Sequence, residues 1–183
     1  MHDGQNLYAP ANPWNHGPWD VDRQLLALRA SGRLRKAMVV GIDNAGADRS
    51  REFAPQLALE RLPERQRHRG IGADGSTLLG EAYLRFVVEE LKPFVDGRYR
   101  TRPGPEGTFL MGSSLGGVVS AYALARYPQV FGAAACLSTH WPITLGAGLL
   151  EKGMSPEGLA MTLRTSPSIF ITSSSDLAST SAW

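Results

Sequence analysis

The stretch TFLMGSSLGGVVSAYALARYP, Thr108 to Pro128, constrains the fold more than any other part of the chain. A short apolar run stops at Gly112, and from Val118 to Arg126 apolar residues continue at helical spacing. The spacing predicts a strand over Thr108 to Met111 that reverses into a helix within a few residues. The same change of period recurs along the chain. DVDRQLLALRASG, from Asp20, has helical spacing, with Gly32 as a stop. KAMVVGIDN, Lys36 to Asn44, is a short apolar run ending in turn residues, which suits a buried parallel strand. Leu79, Ala82, Tyr83, Phe86, Val87, Glu90, Leu91 and Phe94 repeat at intervals of three and four, so a helix is expected there, with Pro93 bending or ending its last turn. VFGAAACLS and SIFITSS are two further strand candidates. Residues 45–78 are polar and rich in Arg, Gly and Pro, a long excursion between elements. Apolar strands alternating with amphipathic helices define an α/β fold with a mainly parallel sheet flanked by helices. No repeat or linker divides the chain, so residues 1–183 are expected to form a single domain.

Composition narrows the function classes. At 43% hydrophobic and 20% charged residues, the 183-residue chain can bury a sizeable core. The formal net charge of +2 gives no case for nucleic acid. The one basic cluster, Arg61 to Gly70, lacks interleaved aromatics for base stacking and reads as a solvated loop or helix end. No apolar run approaches the roughly 20 residues of a membrane span. MHDGQNLYAP has neither the basic nor the apolar part of a signal peptide, so a cytoplasmic location is expected. The single cysteine, Cys136, rules out an internal disulfide and any CxxC metal site, and its apolar setting suits a small buried hydrophobe. His2 and Asp3 have no second cluster at metal-ligand spacing.

Gly112-Ser113-Ser114-Leu115-Gly116 fits G-x-S-x-G, with Ser114 at its centre. The pattern has a mechanical basis. A sharp strand-to-helix turn holds the serine in a strained conformation and presents its oxygen at the carboxyl end of the sheet, where open α/β sheets bind ligands. The helix starting at the next residue aims free N–H groups at the same place, with the Leu115 N–H set to bind a developing oxyanion. A plain Gly/Ser turn joining strand to helix is the bland alternative.

The ordered series MHDGQNLY, VVGIDNAGADRSREF, FVVEELKPFVDGRYRT, GSSLGGVVSAYALARYPQVFG and LSTHWP resembles the putative esterase family of α/β-hydrolases, from residue 1 to about residue 142. That family includes esterase D, feruloyl-esterase and enterochelin-esterase relatives. The resemblance implies a carboxylic-ester hydrolase acting on a small-molecule ester, with a Ser-Asp-His triad and no metal or cofactor. It makes Ser114 the nucleophile. It also puts HDGQ in the place of the oxyanion-hole loop, where Gly4 or Gln5 would supply the second N–H.

In this fold the triad runs serine, acid, histidine along the chain. Asp176, just beyond SIFITSSS, stands where the acid is expected, against the alternative of a polar residue in the tail. The four histidines are His2, His16, His68 and His140, and none follows Asp176. His140, in LSTHWP, is expected in the wall of the substrate pocket with Trp141, rather than as a replacement base. His2 is expected to be structural, and so are Arg49 and Glu52, which would fix the path of their loop. MHDGQN resembles the end of a central strand, and LASTSAW after Asp176 is too short for a further strand, loop and helix, so the sequence reads as an incomplete α/β-hydrolase lacking both ends. Two functions follow as expectations. One is a serine esterase whose base lies outside these residues; the other is a non-catalytic α/β-hydrolase remnant or binding module.

Overall fold

The structure, a computed structural model, describes residues 1–8, 17–34, 36–57, 76–139 and 170–172. The chain falls into two compact units, Met1–Ala45 and Gly46–Trp183.

In the first unit, α1 (Val21–Ala30) forms over the segment whose spacing predicts it. It ends where Gly32 takes a positive φ of 71° and its N–H returns to the Arg29 carbonyl. The expected strand over residues 36–44 is reduced to one parallel bridge, between His2 and Ile42. The apolar run is held by the first residues of the chain: the Met1 ammonium donates to the Val40 carbonyl at 2.7 Å, the Ile42 N–H donates to the Met1 carbonyl at 3.0 Å, and the Ile42 carbonyl accepts from the Gly4 N–H at 2.8 Å. A ladder needs several paired residues, so the segment stays outside a regular strand.

The second unit opens with a 3-10 turn (Gly46–Asp48) that runs into a short helix, α2 (Arg49–Glu52). A long helical stretch follows: α3 (Gly80–Arg85), a π-helical turn (Phe86–Leu91) and α4 (Lys92–Arg98). Pro93 does not end it. The proline falls in the first turn of α4, directly after the π turn, where the missing N–H is tolerated by the widened spacing. Next come β1 (Phe109–Ser113), α5 (Leu115–Arg126) and β2 (Ala133–Leu137), and β3 (Phe170–Thr172) is the last element among the described residues. The three strands form one sheet in the order β1-β2-β3, every pair parallel, with Phe109 opposite Ala133 and Ser113 opposite Leu137. Parallel neighbours need a crossover, and α5 is the crossover from β1 to β2.

The core of this unit lies where α5 covers the sheet. Val118, Val119, Ala121, Ala123 and Leu124 of α5 are buried, as are Leu110 of β1 and Ala133, Ala134 and Cys136 of β2. Burial pushes the Cys136 thiol up to about 12, so it is a neutral packing group and no nucleophile at physiological pH. Ser120 is fully buried on α5 and satisfies its hydroxyl by donating to the Gly116 carbonyl at 2.7 Å.

One polar cluster ties α5 to α3. The Tyr122 hydroxyl donates to the Glu81 carboxylate and accepts from the Leu57 N–H at 3.3 Å. Arg126 Nη2 lies 3.6 Å from the other Glu81 oxygen. Burial and the donated hydrogen bond raise the Tyr122 phenol well above its usual range. Tyr122→Phe leaves the ring in place but removes the partner of two groups, so urea unfolding should show a loss of about 1–3 kcal/mol. A midpoint unchanged from the parent would show that the cluster is solvated rather than structural.

Candidate functional site

Ser114 stands between the end of β1 and the first residue of α5, with φ 56° and ψ −119°. A left-handed φ is uncommon for a residue with a Cβ and costs on the order of 1–3 kcal/mol unless its surroundings hold it. Three features hold it. The Ser114 N–H donates to the Leu137 carbonyl of β2 at 2.9 Å, extending the β1–β2 ladder one residue past the strand. The Ser114 carbonyl accepts from the N–H groups of Gly117 and Val118 at 3.1 and 3.2 Å, which makes it the first acceptor of α5. Thirdly, the backbone of α5 presses on that of β1: a Cβ at position 112 would lie 2.3 Å from the Gly116 carbonyl oxygen. Gly112 is therefore required by close approach, and the glycine of the motif has a concrete cause.

Gly117 and Val118 use their N–H groups on Ser114, so the N–H groups ahead of them, on Leu115 and Gly116, form the open start of α5. The 12-residue helix brings its positive end to the half-buried Ser114. A hydroxyl beside open N–H donors suits a reaction in which negative charge develops on a carbonyl oxygen.

A second strained residue lies on the neighbouring strand. Ser138, just past β2, has φ 42°, and Thr139 after it is 8% exposed with no hydrogen-bond partner for Oγ1 among the described residues. Both belong to LSTHWP, so that motif begins with a left-handed residue just past the carboxyl end of β2. Nothing in the spacing of polar residues signals the strain at Ser138.

In the first unit, HDGQ and GIDN form one structure. The Gly4 N–H donates to the Ile42 carbonyl at 2.8 Å. Asn44 Nδ2 donates to Asp3 Oδ1 at 2.6 Å, and the Asn44 N–H to Gln5 Oε1 at 3.2 Å. Asp3 takes φ 57°, and a Cβ on Gly4 would sit 2.7 Å from the Ile42 nitrogen. Asp3 and Asn44 thus shape the loop that contains Gly4 and Gln5. The Gly4 N–H is engaged, which leaves Gln5 as the donor candidate of the two. His2 is fully buried on the Ile42 bridge, as a structural residue would be.

Ser114 and Leu115 thus lie side by side at the elbow, while Gly4 and Gln5 belong to the other unit. Asp176, His140 and Trp141 lie outside the described residues. Among the described residues no group of three or more His, Cys, Asp or Glu could hold a metal, and no helix is long and apolar enough to cross a membrane.

The family model for Putative esterase matches residues 2–152, and the chain belongs to that family. It is also similar to two proteins of Bacillus subtilis (strain 168). Against "Uncharacterized protein YjcH" it is 45% identical over 51 residues, 28% of this chain and 21% of that protein. Against "Uncharacterized protein YbbA" it is 28% identical over 64 residues, 34% of this chain and 26% of that protein. The matched stretches thus span about a quarter or less of those relatives' length. No solved structure matches the chain. Family and fold together place this chain in an esterase-type family with an α/β fold.

The strain at Ser114 has a testable consequence. Ser114→Gly frees the backbone from the Cβ penalty, at a smaller cost in unfolded-chain entropy, and should stabilise the protein by about 1 kcal/mol. Ser114→Ala keeps the Cβ and should leave the denaturation midpoint near the parent's. Two variants of equal stability would mean that φ is relaxed in solution.

Proposed function

We propose that the chain is a serine carboxylic-ester hydrolase acting on small-molecule esters, with Ser114 as the nucleophile. The observation that carries this is the conformation of Ser114: a non-glycine residue at φ 56°, at a strand-to-helix reversal, under the open end of a 12-residue helix. Strain of this kind persists where the surroundings over-determine it, and such places are commonly functional.

In this reading Ser114 Oγ attacks the ester carbonyl carbon as a base takes the hydroxyl proton. The carbonyl oxygen becomes an oxyanion bound by the Leu115 N–H, with Gln5 as second donor. The C–O bond to the alcohol then breaks, and the alcohol leaves with the proton. Water cleaves the acyl-serine, releasing the carboxylic acid and restoring the hydroxyl. Asp176 is the proposed acid, and His140 and Trp141 line the pocket. No step needs a metal or cofactor, the domain is single, and the site of action is the cytoplasm.

The triad histidine is, on this proposal, not among the four histidines of the chain. Ser114 then keeps an ordinary hydroxyl, protonated at pH 7 and a weak nucleophile. The 183-residue chain should hydrolyse short p-nitrophenyl esters close to background, several orders of magnitude below a complete triad. Added imidazole should raise the rate several-fold over that of Ser114→Ala in the same buffer, by supplying the base. Robust turnover without imidazole that His140→Ala abolishes would make His140 the base. A rate identical in parent and Ser114→Ala, with or without imidazole, would remove Ser114 from the chemistry.

A further inference from the structure

The peptide unit between Ser113 and Ser114 carries the strained φ of Ser114, and it is held at both ends. Its N–H donates to the Leu137 carbonyl of β2. In a trans peptide the C=O points the opposite way, so the Ser113 carbonyl faces the edge of β1 away from β2. There Arg49 Nη2 donates to it at 3.5 Å, across 64 residues of sequence.

Arg49 is itself oriented by packing. Its guanidinium carbon lies 4.9 Å above the centre of the Phe53 ring. Phe53 is fully buried and tilts against Tyr83, ring centres 5.4 Å apart. A guanidinium can present a flat face to an aromatic ring and its edge N–H groups to a carbonyl at the same time, which an ammonium cannot do. Arg49 and Phe53 are four residues apart, one in α2 and one just past it, so a single short segment supplies both the cation and its platform.

We infer that Arg49 is a positioning residue for Ser114: it grips the Ser113 carbonyl and so fixes the plane of the Ser113–Ser114 peptide, holding the nucleophile's φ against relaxation. This rests on the reading of Ser114 as the nucleophile for its catalytic consequence, but not for its structural one. The role differs from binding substrate, because the group held is backbone of the protein itself. The contact is long for a hydrogen bond, so its loss should have a moderate effect.

The test uses Arg49→Gln and Arg49→Lys in the 183-residue chain, with two readouts. One is amide hydrogen exchange at Ser114, compared with Val119 in the middle of α5. The other is phosphonylation of Ser114 by a fluorophosphonate ester in imidazole buffer, which supplies the missing base, located by peptide mass and resolved into the limiting rate kinact and the half-saturating concentration Ki. Arg49→Gln should speed exchange at Ser114 about tenfold with Val119 unchanged, and lower kinact about tenfold with Ki within about twofold, the size of one weak charge-assisted hydrogen bond. Arg49→Lys should recover part of each loss, and it is the variant to measure if Arg49→Gln does not fold. The inference is overturned by unchanged exchange at Ser114, by equal acceleration at Val119, which is general destabilisation, or by a change confined to Ki, which is a binding role. If the parent is not labelled at Ser114, the nucleophile reading fails, and exchange alone decides whether Arg49 positions the turn.

Discussion

A strand can pass directly into a helix only if one residue absorbs the change of direction, and here that residue is Ser114. Its φ of 56° is unfavourable by itself, on the order of 1–3 kcal/mol. Burial on α5 outweighs it: Val118, Val119 and Leu124 each leave water almost completely, at about 1.5–3 kcal/mol for a side chain of this size. The packing of α5 on β1 and β2 therefore holds the turn, and the turn presents the serine. Fold and site are coupled at one peptide unit.

The same economy is visible in the small residues around it. Gly112 is set by the approach of the Gly116 carbonyl, and Ser120 by the need to satisfy a hydroxyl inside a buried helix face. In the first unit, the Asn44 side chain and the Asp3 carboxylate fix a loop whose glycine fits only because the Ile42 backbone passes so close. These motifs are geometric requirements before they are chemical ones. Chemistry enters where the geometry leaves donors open, at the start of α5.

Much of this was legible from residue spacing, because helical and strand periods survive in a single sequence. The helices over Val21–Ala30 and Leu115–Arg126, the strands on either side of the second, and the turn at Ser114 follow from it. Spacing failed where the outcome depends on partners. The run over residues 36–44 has strand composition but, among the described residues, forms a single bridge, His2 to Ile42. Pro93 reads as a bend or an end of the last turn, yet the helix continues past it to Arg98, after a π turn. The contact of Arg49 with the Ser113 carbonyl is a long-range one, and no local pattern encodes it. Arg49 and Glu52 were legible only as residues that fix their own loop. The proposed acid Asp176 and pocket residues His140 and Trp141 lie outside the described residues, so for them only sequence position and resemblance speak.

The account turns on Ser114 as a nucleophile, and a covalent intermediate is its most direct trace. The chain would be incubated with p-nitrophenyl butyrate in imidazole buffer, which supplies the base, then quenched in acid and mapped by peptide mass. The account predicts a butyryl group on the peptide containing Ser114, located on Ser114 by fragmentation and absent from Ser114→Ala. A peptide that stays unmodified in the parent, or an acyl group that persists there in Ser114→Ala, would contradict it.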